Sequence, residues 1–160
     1  MRIWATAFAG DITNAVYLLN SQIKTRNPNF PSLEEEQNLN SEIQVIRNFL
    51  EVSGCKNIQT LILTELSISE LQLLTAFVQS VYYWSIGYAC RMQGDLLRAQ
   101  SNFEEVLRLG HQMQNMWTVV TASADLGTVL RQQGKLKQAE AIYLQTLQMI
   151  SEISAPGYVG

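Results

Sequence analysis

Trp84, Tyr88 and Arg91 lie four and three residues apart, so on a helix they share one stripe. Forty residues further on, the same positions hold Ala124, Thr128 and Arg131. Aromatic, hydroxyl and guanidinium groups on one surface suit a polar partner. Guanidinium groups form bidentate, charge-assisted bonds to carboxylates and carbonyls, and aromatic rings supply rigid contact area. Two arginines one repeat apart, about 10 Å at ordinary interhelical distances, would form a short ladder for an extended peptide. The competing reading is packing, with Trp84 and Tyr88 wedged between neighbouring helices and the arginines as bystanders.

No other set of side chains reads as a site. Catalysis needs a nucleophile, an acid–base pair or a metal in a water-excluded pocket. The single histidine, His111, is expected in a solvent-facing turn and cannot anchor a metal cluster. Glu34, Glu35 and Glu36 sit where a helix begins, serving its cap and its dipole. Glu104 and Glu105 fall on the polar side of an amphipathic helix. Cys55 and Cys90, far apart in sequence, read as small buried side chains rather than a redox pair. No enzyme, cofactor or metal site is therefore expected.

The elements that would carry these residues repeat. RMQGDLLRAQSNFEEVLRLG at Arg91–Gly110 returns as RQQGKLKQAEAIYLQTLQMI, with Gly94 recurring as Gly134, Ala99 as Ala139, Phe103 as Tyr143 and Leu107 as Leu147. Apolar residues within each copy step by three and four, the helical period with one buried face. Gly94 and Gly134 mark helix ends, and Asp95 follows as an N-cap. Gly10-Asp11, followed by Ile12, Ala15, Leu19 and Ile23, repeats the skeleton 84 residues before Gly94, or two repeats of 42. A degenerate copy between them is expected to turn at Ser53-Gly54-Cys55 and to continue as a helix through Ile58, Leu61, Ile62 and Leu66. Capping boxes are expected at Ser32–Glu35 and Ser67–Glu70, with the proline-containing loop at residues 25–32 as linker. The reading is all-α: four helix pairs at about 1–24, 33–66, 69–110 and 113–153, in a single domain spanning residues 1–160.

The order of small and large residues resembles the tetratricopeptide repeat. The third pair supplies Tyr83, Ile86, Gly87, Gly94, Ala99 and Phe103, and the fourth Ser123, Leu126, Gly127, Gly134, Ala139 and Tyr143. The period of 40–42 exceeds that family's usual ~34 residues, and no proline closes the unit at Gly110-His111. Long repeats with phrases such as GYACRMQGDLLRAQSNFEEVLRLG are similar to the helical-repeat region of MalT-like, ATP-dependent, LuxR-family bacterial transcription regulators. The resemblance is strong over 69–150 and weak over 1–68. It implies a right-handed superhelix whose concave face carries the stripe of Trp84, Tyr88, Arg91, Thr128 and Arg131. It also implies a sensor or scaffold role, with a free-standing adaptor for protein assembly as the alternative. Such regulators place a nucleotide-binding domain before the repeats and a DNA-binding domain after them. Neither is carried over: G-x-x-x-x-G-K-[ST] is missing, Gly134-Lys135-Leu136 reads as a repeat turn, and no basic recognition helix follows Ile153.

Composition agrees with a folded binding module. The 160 residues are 47% hydrophobic and only 16% charged, enough for a real core. A net charge of −3 offers no field to hold nucleic acid. The longest apolar runs are too short for a membrane span, and a cytoplasmic location is the default. The expected partner is a protein, a peptide or a small polar effector. Two packing expectations follow. Gly127 and Ala139 should face each other across the fourth pair. The stripe of Ile142, Leu147, Ile150 and Ile153 should be covered by self-association or by a further repeat.

Overall fold

The computed structural model describes residues 4, 6, 9–24, 33–54 and 63–154. Seven helices occur among them, and no strand: α1 (Ile12–Lys24), α2 (Leu33–Gly54), α3 (Ile68–Leu73), α4 (Ala76–Gln93), α5 (Leu96–Gln112), α6 (Met116–Gln132) and α7 (Leu136–Ile153). The chain divides into two compact units, Met1–Val78 and Gln79–Gly160.

In the N-terminal unit, Gly10 takes a positive φ of 81° and Asp11 accepts the Asn14 N–H on its carboxylate at 3.1 Å, so α1 starts at a capped turn. Helix α1 packs on α2, burying Ala15 and Leu19 on one side and Val45, Ile46, Phe49 and Leu50 on the other. The Trp4 ring meets Phe49 and Phe77 edge-on, with centroids 6.1 and 5.9 Å apart, and its indole N–H donates to Glu42 at 3.2 Å. Asn48, fully buried, holds the strip after α2. Its Nδ2 donates to the Thr64 carbonyl at 2.7 Å, while its Oδ1 accepts the Thr64 N–H at 3.1 Å. Ser67 and Glu70 then form a reciprocal capping box for α3.

Several expectations for this half change. Ser53 and Gly54 are the last residues of α2, not a turn. Leu66 lies in non-helical backbone, in a stretch where Thr64 gives and takes its backbone hydrogen bonds with Asn48 rather than within a helix. The helix expected from about residue 69 is broken: α3 ends after six residues, Leu74 is extended, and α4 begins at Ala76. Cys55, Ile58, Leu61, Ile62, the loop at 25–32, the Ser32 cap and the side chains of Ile12 and Ile23 lie outside the described residues.

In the C-terminal unit, α5 packs on α6 and α6 on α7, and three turns of one design join α4 to α5, α5 to α6 and α6 to α7. The amides of Asp95, Asn115 and Lys135 each donate, at 2.9 Å, to the carbonyls of Cys90, Gly110 and Leu130. Those of Gly94, Gln114 and Gly134 donate to Arg91, His111 and Arg131. Both bonds together define the Schellman end, which needs a left-handed residue: Gly94 (φ 88°), Gln114 (53°) and Gly134 (77°). The middle turn corrects the expectation at Gly110-His111. Both residues remain helical in α5, His111 being exposed in its last turn.

Gly110 serves close approach instead, since a Cβ there would meet Val119 Cγ2 at 3.0 Å. Gly87 likewise admits the Phe103 ring, whose Cε1 would lie 3.2 Å from an added Cβ. At Gly127 the corresponding neighbour is Tyr143 Cε1, at 2.6 Å. The atoms nearest to Gly127 thus belong to Tyr143, one helical turn after Ala139, which is also buried. Phe103, Leu109, Val119 and Val129 form the fully buried centre.

A stacked aromatic and arginine stripe on α4 and α6

Helix α4 brings Trp84, Tyr88 and Arg91 together as their spacing requires. The indole and phenol rings lie 5.3 Å apart, tilted by 32°, and the Arg91 guanidinium carbon sits 4.7 Å from the Tyr88 ring centroid. A cation at that distance over an aromatic face is attracted by the ring quadrupole. All three side chains are half-buried. Arg91 Nε is buried and has no hydrogen-bond partner among the described residues.

The other end of the stack is closed by a residue outside the expected set. Trp84 Nε1 donates to Asp125 Oδ2 on α6 at 2.8 Å. Burial pushes the Asp125 carboxyl above the usual carboxylate range, opposed by the Trp84 hydrogen bond and by the positive charge of Arg91. Burial thus outweighs both favourable partners. A sequence signal for Asp125 existed: it is the only acidic residue between Glu105 and Glu140, set in the apolar run TVVTASADLGTVL. A lone carboxylate there demands a donor.

Thr128 and Arg131 are placed differently. The Thr128 hydroxyl donates to the Ala124 carbonyl at 3.0 Å and lies 3.1 Å from the Tyr143 hydroxyl, so it is tied to α7. Arg131 is exposed in the last turn of α6. A second polar group joins α4 and α5. Burial raises the Tyr83 phenol, the Glu105 carboxylate adds to this, and Arg108 opposes it. Arg108 grips Glu105 with two bonds, at 2.9 and 2.6 Å. Among the described residues no group of three or more His, Cys, Asp or Glu side chains could hold a metal, and no helix is long and apolar enough to cross a membrane. Compared with known proteins, the chain matches no family model, no curated protein and no solved structure.

Proposed function

We propose that this chain is a non-enzymatic, cytoplasmic binding module: a tetratricopeptide-like superhelix whose concave stripe of Trp84, Tyr88, Arg91, Thr128 and Arg131 takes a protein, a peptide or a small polar effector. Within that reading it is the sensor or scaffold region of a MalT-like transcription regulator, and a free-standing adaptor is the alternative. The observation that supports the stripe is the half-exposed stack of indole, phenol and guanidinium on α4. Stacking holds Arg91 in one orientation before any partner arrives, which reduces the ordering cost of binding. Arg131, in the equivalent place of the next repeat, supplies a second, freely accessible cation.

The packing reading has its own support, because the Trp84 N–H is already taken by Asp125. Titration of the full chain with an array of synthetic peptides, one half acidic and one half neutral, separates the two. Acidic peptides are expected to bind, and Arg91→Ala or Arg131→Ala to weaken them by roughly tenfold, about 1.4 kcal/mol, with helical circular dichroism unchanged. Binding that ignores both substitutions, or no binding in either half of the array, leaves packing as the role of the stripe. The extent of the native reading frame distinguishes regulator from adaptor.

A further inference from the structure

The aromatic stack on α4 carries opposite charges at its two ends. The Asp125 carboxylate of α6 closes one end through the Trp84 N–H, and the Arg91 guanidinium closes the other over the Tyr88 ring. Trp84 and Arg91 are seven residues apart in sequence, which is about 10 Å along the helix axis. Asp125, Trp84, Tyr88 and Arg91 are all half-buried, so each keeps some surface.

Neither charge is satisfied within the chain. Asp125 Oδ2 accepts a hydrogen bond from a neutral indole, and burial disfavours the ionised carboxylate despite that bond and the field of Arg91. A carboxylate so placed gains from a cation that reaches it. Arg91 keeps a buried Nε–H with no acceptor among the described residues, and gains in the same way from a carboxylate. The two ends therefore ask for ligand groups of opposite sign, with the indole and phenol faces between them as rigid contact area. A purely acidic partner would satisfy Arg91 while bringing like charge towards Asp125.

We propose that the stripe reads two charges of one peptide segment, an acidic side chain at Arg91 and a basic side chain at Asp125. Asp125 is then a specificity-determining residue of the surface. In an extended segment, side chains three residues apart are separated by about 10 Å, which matches the length of the stack. This inference rests on the reading of the stripe as a binding surface, a reading that by itself requires only the acidic group.

Calorimetric titration of the full chain with four synthetic peptides of one length tests it. One peptide carries a glutamate, one a lysine, one both residues three positions apart, and one neither. The doubly charged peptide is expected to bind the wild type roughly tenfold more tightly than the glutamate peptide. Asp125→Asn keeps an acceptor for the Trp84 N–H and removes the charge. It is expected to erase the advantage given by the lysine and to bind the glutamate peptide more tightly, since the like charge is gone. Trp84→Phe removes the donor and keeps the carboxylate, so the lysine advantage is expected to survive there, and its loss would overturn the proposal. If Arg91→Ala weakens the glutamate peptide but lysine adds nothing, or adds as much to Asp125→Asn as to the wild type, the inference is wrong and the reading of the stripe stands. A glutamate peptide indifferent to Arg91→Ala, or no binding by any of the four, overturns both.

Discussion

Asp125 on α6 accepts the Trp84 N–H of α4, and burial disfavours the charge with which it does so. Burial raises its carboxyl above the ordinary range, so the folded chain holds this proton more tightly than the unfolded chain does. The contribution of this residue to stability is therefore fullest below its unfolded pKa of about 3.9 and is lost as pH rises through the higher folded value. Asp125→Asn keeps an acceptor for the Trp84 N–H and removes the buried charge. Urea unfolding midpoints are expected to be higher for this variant at pH 7, with the difference shrinking towards about pH 4. A variant that is less stable at pH 7 would mean that Arg91 contributes more to the ionised form than burial removes. Trp84→Phe keeps a ring against Tyr88 but deprives the carboxylate of its donor. It is expected to cost about 1–3 kcal/mol in the same measurement.

At the scale of the elements, glycine has two roles that a sequence does not distinguish. Gly94 and Gly134 supply left-handed backbone at helix ends and are legible as turns, because the residues after them restart an apolar helical period. Gly110 also looks like a helix end, but it is buried in α5, where it lets α6 approach, and the turn falls on Gln114. Gln114→Gly is expected to raise the melting temperature, since a side chain in left-handed backbone costs roughly 1 kcal/mol. Gly127 shows the other role. Gly127→Leu drives a side chain into the Tyr143 ring and is expected to cost about 1–3 kcal/mol by thermal unfolding, well beyond Glu104→Ala. Adding Tyr143→Ala should recover part of that loss, a coupling seen only if the two residues touch. In the N-terminal unit, Asn48→Ala is expected to abolish hydrogen-exchange protection of the Thr64 amide, whose partner is Asn48 Oδ1.

At the scale of the whole molecule, the C-terminal unit packs α5 on α6 and α6 on α7, and Trp84 on α4 reaches Asp125 on α6. Stability in such arrays is roughly a sum of element and interface terms. Helices α5 and α6 hold the fully buried Phe103, Leu109, Val119 and Val129, whereas α7 has one packed face and one exposed stripe. Native-state hydrogen exchange of a dilute sample is therefore expected to show slower amides at these four residues than at Leu144 and Leu147. Equal protection along α5, α6 and α7 would contradict an additive array.

Much of this follows from residue order. The helical period, the Gly94 and Gly134 turns, the Asp95 cap, the Ser67–Glu70 box and the shared stripe of Trp84, Tyr88 and Arg91 all depend on residues within a few positions of one another. Local spacing therefore determines them. What the tertiary structure decided depends on partners distant in sequence. Asp125 meets Trp84 from 41 residues away, and Asn48 holds Thr64 out of a helix across 16. The Tyr143 ring lies nearest to Gly127, and the Thr128 hydroxyl meets the Tyr143 hydroxyl. Apolar periodicity says which face of a helix is buried. Which atoms meet across that face is set by how closely two backbones approach, and that distance exists only once both helices are in place.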